Sequence, residues 1–132
     1  MYWETIQYYY KNPFNKFEMD DFDVEHYEDN DTCWDSLTIY LKIEDDKIIN
    51  WSFTGETAII TTALTSLLWE LAIGEKLENI LKWDYNFMEE ALWDKVSDRR
   101  KKAAVLGLLT TRNAIHKYLK DWKEDDFDDL IF

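Results

Sequence analysis

Three short segments of this chain carry residue types that could do chemistry. The first is Asp31-Thr32-Cys33-Trp34-Asp35. A thiolate and a carboxylate two positions apart can converge on one metal if the loop curls. The same pair also reads as a buried thiol beside a solvated acid. The second segment is Phe53-Thr54-Gly55-Glu56-Thr57-Ala58, where a strand pattern runs into a helix start. The third is Arg99-Arg100-Lys101-Lys102-Ala103-Ala104-Val105-Leu106. Consecutive bases at a helix start oppose its dipole by about a few tenths of a kcal/mol or somewhat more. Ser97 or Asp98 as N-cap offsets part of that. The run is either a solvated turn of helix or a basic patch facing an anionic site or an acidic partner. His26, in a strand pattern, and His116, in a helix pattern, fall outside these segments and do not read as ligands. The sequence shows no nucleophile–base pair, glycine-rich phosphate loop or metal-hydrolase spacing, so catalysis is not expected.

The elements that must position these segments follow from periodicity. Residues 2–11 are aromatic-rich and stop at Asn12-Pro13, which predicts a helix ending there. Residues 36–44 alternate, with Leu37, Ile39, Leu41 and Ile43 on one face, as in a half-buried strand. Asp45-Asp46 make a turn, and residues 47–54 form a second strand with Ile49, Trp51 and Phe53 inward. An earlier strand around 22–27 completes an antiparallel meander. After Gly55 the period becomes helical, with Leu64, Leu67, Leu68 and Leu71 inward and Gly74 where a C′ glycine belongs. Shorter helical stretches follow at 76–82 and 86–94. A last helix spans about 98–122, with Val105, Leu108, Ile115, Leu119 and Trp122 inward. Strands followed by helices predict an α+β fold, a three-stranded antiparallel sheet with helices on one face.

Composition sets the outer limits. The chain's 132 residues are one domain's worth, and 46% hydrophobic residues suffice for a core without staples. We expect a single domain over 1–123 and a frayed acidic tail over 124–132. The formal net charge of −13 argues against nucleic-acid binding and against docking on an anionic membrane. No apolar run approaches the roughly 20 residues of a membrane span. The first residues lack the marks of a signal peptide. Cys33 is the one cysteine, which excludes an intramolecular disulfide and points to a reducing, cytoplasmic setting. Acids crowd residues 16–35, nine against one base, and five bases against one acid fill 95–102.

Taken together, the segments resemble the NifU/IscU/SufU family of iron–sulfur cluster assembly scaffolds. The run from Tyr2-Trp3-Glu4 to Asn12-Pro13-Phe14-Asn15 is similar to the family's opening. Thr32-Cys33-Trp34-Asp35 resembles its T-C-G-D. Phe53-Thr54-Gly55-Glu56-Thr57-Ala58 resembles its F-x-G-x-G-C. Gly74-Glu75-Lys76-Leu77-Glu78 and Lys102-Ala103-Ala104-Val105-Leu106 match two later motifs in order and spacing. The resemblance implies the SufE/NifU-like fold and a site made of three cysteines and an aspartate. Of these, Cys33 and Asp35 are kept, while Ala58 and Ala103 stand at the other cysteine positions and Lys102 beside the last. Clusters need thiolate ligands and tetrahedral zinc needs four donors, whereas alanine offers none. The expectation is therefore a degenerate site in which Cys33 and Asp35 bind metal weakly at best. No cofactor should be held tightly, iron or an iron–sulfur cluster being the one candidate. Glu56 could add a carboxylate, and Cys33 could carry a persulfide if its thiolate is favoured. The acids around Cys33 disfavour that thiolate, and the basic run favours it if the fold brings the two together. The implied role is scaffold-like work in cluster assembly, as a monomer or weak homodimer. The alternative is a metal-free module that docks on a cysteine desulfurase or another assembly protein.

Overall fold

The computed structural model describes residues 2–13, 15–30, 35–93 and 95–132. In it the alternating segment becomes the middle strand of a meander. Strands β1 (Val24–Asn30), β2 (Asp35–Glu44) and β3 (Lys47–Thr54) lie in that order, antiparallel. Leu37, Ile39, Leu41 and Ile43 of β2 are buried on one face with Trp51 and Phe53 of β3. The β-strand period of two puts every second residue there. Helix α1 (Tyr2–Lys11) precedes the sheet, and α2 (Ile59–Ala72), α3 (Leu77–Ile80), α4 (Tyr85–Leu92), α5 (Lys101–Leu119) and α6 (Phe127–Ile131) follow it. The α+β reading of the sequence holds. Among the described residues no helix is long and apolar enough to cross a membrane.

Helix α5 lies along the sheet over β1 and β2, and α2 packs between α5 and α1. That position explains why α2 is buried on nearly every face from Ile60 to Leu68, threonines and Ser66 included. Helix α1 is pinned to α2 by buried Ile6 and by the Tyr9 hydroxyl, which donates to Glu70 Oε2 at 2.7 Å. It ends where the sequence says, with Asn12 closing the last turn onto the Tyr8 carbonyl ahead of Pro13. The close crossing of α2 and α5 depends on Gly107. A Cβ there would stand 2.5 Å from Thr65 Oγ1. Across the same core the Trp51 indole N–H donates to Thr111 Oγ1 at 3.1 Å.

Four sequence expectations change. Ile49 faces outward, 46% exposed, and Ile48 is buried instead. The cause is a bulge: Lys42 pairs with Asn50 and Ile43 with Ile48, so Ile49 is the extra residue and flips the faces beyond it. Leu119 and Trp122 are not inward but 43% and 94% exposed. Helix α5 stops at Leu119 because Lys120 turns left-handed as its C-cap. The first strand begins at Val24 and runs on to Asn30. Lastly, the segment that reads as tail contains helix α6. Asp126 caps α6 in a reciprocal capping box with Asp129, and Leu130 is buried to 2% exposure.

The edges of the sheet differ. The outer edge of β3 is covered at both ends: Phe53 N–H donates to the Asn15 carbonyl, and Ile48 exchanges bonds with Glu75 and Gly74. Among the described residues β1 pairs with β2 alone, and its exposed residues are Glu25, Tyr27 and Asp29.

The helix crossing yields a first test. Gly107→Val should lower stability by about 2 kcal/mol or more in urea unfolding, as overpacking does. Gly107→Ala combined with Thr65→Ala should recover most of the loss, because the clash is with that side chain.

Candidate functional site

The topology brings Asp35 and the second and third chemical segments toward one end of the sheet. There β1 ends, β2 begins, β3 ends, and the N-termini of α2 and α5 start back along the sheet. Cys33, with Asp31, Thr32 and Trp34, lies outside the described residues. Gly55 makes the turn from β3 toward α2 at φ +136°, a region that only glycine adopts without strain. A Cβ at that position would also collide with the Ser36 carbonyl oxygen. The loop is held there by the Ser36 N–H, which donates to the Glu56 carbonyl at 2.9 Å. The Glu56 side chain is exposed.

Asp35 is the centre of this end. It is 2% exposed and its carboxylate is engaged on both oxygens. Oδ1 accepts from the Ala58 backbone N–H at 3.0 Å and Oδ2 from the Thr61 hydroxyl at 2.6 Å. Ala58 is the N-cap of α2 and has no side chain to cap with. Asp35 reaches from the neighbouring strand to the N–H of the N-cap residue itself, the bond a capping-box side chain would make, and sets its carboxyl at the positive end of the helix. Thr62 turns its hydroxyl back to the Ala58 carbonyl at 3.0 Å and also bonds the Thr57 hydroxyl, so the first turn is tied on several sides.

The remaining positions offer no donor facing this carboxylate. Ala58 is exposed beside Ile59, which is 44% exposed, so the second cysteine position presents apolar surface. Ala103 is half-buried at the start of α5. Lys102 is exposed and places Nζ 5.3 Å from the ring centre of Phe127, on α6. Lys101 pairs with Asp98 at 3.3 Å and lies over the Tyr85 ring. Of the expected N-caps, Ser97 makes no side-chain cap and Asp98 lies inside the 3-10 turn that precedes α5; Arg100, the N-cap of α5, makes none either, and Asp98 pairs with Lys101. No group of three or more His, Cys, Asp or Glu side chains able to hold a metal forms among the described residues. The alanines at 58 and 103 offer no donor to a metal or cluster.

His26 and His116 lie elsewhere, on the inward side of β1 and on α5. His26 Nε2 is 2.8 Å from Glu28 Oε2, and His116 contacts Asp121 and Asp125. This second cluster escaped the sequence reading. Arg112, Asn113 and His116 share one helix face, but their acidic partners come from a segment that reads as tail.

Residues 1–125 match the family of the NifU-like N terminal domain. The chain is 35% identical over 91 residues to the iron–sulfur cluster assembly scaffold protein IscU of Thermotoga maritima, covering 69% of this chain and 61% of that protein. It is 29% identical over 89 residues to the zinc-dependent sulfurtransferase SufU of Bacillus subtilis, covering 67% and 60%. The chain thus matches less than two thirds of the length of these relatives. The crystal structure of a SufU-type scaffold protein from Fervidobacterium islandicum AW-1 superposes with a TM-score of 0.71 at 23% identity, over 85% of this chain and 94% of that one. That likeness shows the fold.

The Asp35 geometry yields a second test. Asp35→Ala should cost about 2 to 3 kcal/mol in urea unfolding, because it removes the cap of α2 and leaves the buried Thr61 hydroxyl unpaired. Asp35→Asn should retain part of that stability. A side chain poised only as a ligand would leave stability unchanged.

Proposed function

Because the chain belongs to the family of the NifU-like N-terminal domain, we propose that it works in iron–sulfur cluster assembly on a scaffold fold whose own ligand site is degenerate. The observation that carries this reading is the state of Asp35. Its carboxylate is buried and committed to the start of α2, beside an alanine where a thiolate would be needed. With a second alanine at 103, one chain has Cys33 as its only thiol, and a cluster, the cargo of such scaffolds, needs more.

The names of its relatives support the setting, one an iron–sulfur cluster assembly scaffold and one a zinc-dependent sulfurtransferase. A single thiolate still permits sulfur transfer. Cys33 can take the sulfane sulfur of a donor persulfide while the donor leaves as its thiolate. The partner in either role is a cysteine desulfurase or another assembly protein, and the chain acts as a monomer or weak homodimer, not as an enzyme.

A second reading is a docking module that no longer handles metal. Exposed Ile59 beside Ala58, next to the basic start of α5, favours it: the former ligand end offers an apolar patch with charge around it, as protein interfaces do.

Anaerobic reconstitution with iron and sulfide tests the proposal. The natural chain should retain no stable iron and show no sulfide-to-iron absorption bands. Ala58→Cys with Ala103→Cys should gain both. A stable cluster on the natural chain that disappears in Cys33→Ala would overturn the degenerate site. A desulfurase complex that survives Cys33→Ala unchanged would select the docking role, and one that loses sulfur loading in that variant would select transfer.

A further inference from the structure

The charged cluster between α5 and the C-terminal segment fixes a protonation state by its geometry. His116 is 7% exposed. Its Nδ1 lies 2.8 Å from Asp121 Oδ2 and its Nε2 2.9 Å from Asp125 Oδ2. A neutral imidazole has one N–H and one bare nitrogen, and an ionised carboxylate only accepts. Both contacts are hydrogen bonds only when the ring carries two protons and a positive charge.

The surroundings bind the same segment. Arg112 donates from Nε to Asp125 Oδ2 at 3.0 Å and from Nη1 to the Trp83 carbonyl at 2.8 Å. Asn113 accepts from the Asp125 N–H at 2.7 Å, donates to its carbonyl at 3.0 Å and donates to Glu28 Oε2 at 2.8 Å. From β1, the paired His26 and Glu28 face the cluster. Lys117 donates to the Glu25 carbonyl, and Lys120, Lys123 and Glu124 complete the walls of a cavity of about 330 Å³. Past this cluster α6 is only Phe127–Ile131, too short to persist alone. It is held by buried Leu130 and by Phe127, whose ring lies beneath Lys102.

We propose that His116 is a protonation-dependent clasp that holds residues 121–131 closed as a strap over α5, with the Phe127 ring beneath Lys102. When the ring loses a proton, one of its nitrogens faces a carboxylate oxygen with lone pair against lone pair. The strap then keeps Arg112, Asn113 and Leu130 but loses the charged bond. The sign follows: the hold is complete while the ring is protonated and weakens as pH rises through the ring's titration. Asp121 is kept ionised, its carboxyl held below the usual range first by the His116 bond and then by the Lys123 N–H. The hold weakens again in acid, once the aspartates take up protons. With the strap closed, a partner at the start of α5 meets exposed Lys102 backed by the Phe127 ring. With it open, the partner meets Lys102 without that ring and the apolar faces that α6 had covered.

Hydrogen exchange on the full chain tests this, read on amides 125–131 relative to β2 and corrected for intrinsic rates. Between a lower pH at which ring-nitrogen NMR shows His116 doubly protonated and a higher one at which it shows the ring neutral, the natural strap should lose about tenfold in relative protection. His116→Gln should show the low level at both values. Asp121→Asn, on the exposed side of the clasp, should keep the fold and lose at least about half of the step. Ring nitrogen NMR should show both nitrogens of His116 protonated at the lower pH. Equal strap protection at both values, a full step surviving in either variant, or a ring that is neutral wherever the chain is folded would each overturn the clasp. If His116→Gln fails to fold, Asp121→Asn and the NMR signal decide.

Discussion

A buried carboxylate bonded to the start of a helix organises the functional end of this protein. Asp35 opens β2, and its two acceptor oxygens take up the Ala58 N–H and the Thr61 hydroxyl of α2. One side chain therefore joins the sheet to the helix that fills the middle of the molecule. A carboxyl group can be this deeply placed because it is bonded on both oxygens and stands at the positive end of a helix dipole. Gly55 is the geometric partner of that bond, since its left-handed turn lets the loop lie against Ser36 and deliver Ala58.

The same interaction explains why a resemblance in sequence need not carry a resemblance in chemistry. Alanine at 58 and 103 offers no donor, and at 58 the missing side chain leaves the start of α2 to Asp35. The bonds of Asp35 to the start of α2 account for a carboxylate at this position, which is therefore evidence about architecture.

Most of the fold was legible in the sequence, because it depends on local period. The alternation of β2, the stop at Pro13 and the leucine spacing of α2 each identify an element from its own residues. What was not legible depends on partners. Ile49 looks inward by alternation, and only the pairing of Lys42 with Asn50 shows it to be the bulged residue. Helix α5 ends at Lys120, with no glycine or proline to mark the stop. The acidic segment 124–132 reads as tail because its hold comes from Arg112, Asn113 and His116, more than one helical turn back in the chain. In the candidate site, the residue types at 35, 58, 102 and 103 were legible from the motifs. The commitment of Asp35 to Thr61 and the turn of Lys102 toward Phe127 were not.

The two rims of the sheet bear on how the chain survives its own synthesis. Strand β3 is closed along its outer rim by the Asn15 and 74–75 backbone, whereas the outer rim of β1 has no strand against it among the described residues. An open rim is a template on which a second molecule can add a strand, the route to fibres and inclusion bodies. Here a second copy stacking in antiparallel register would set Glu25 and Asp29 against their own like charges, within a chain already at −13. The acidity of β1 thus works as a gatekeeper against self-templating, and the excess of acids that says little about ligands says a good deal about remaining soluble at high concentration.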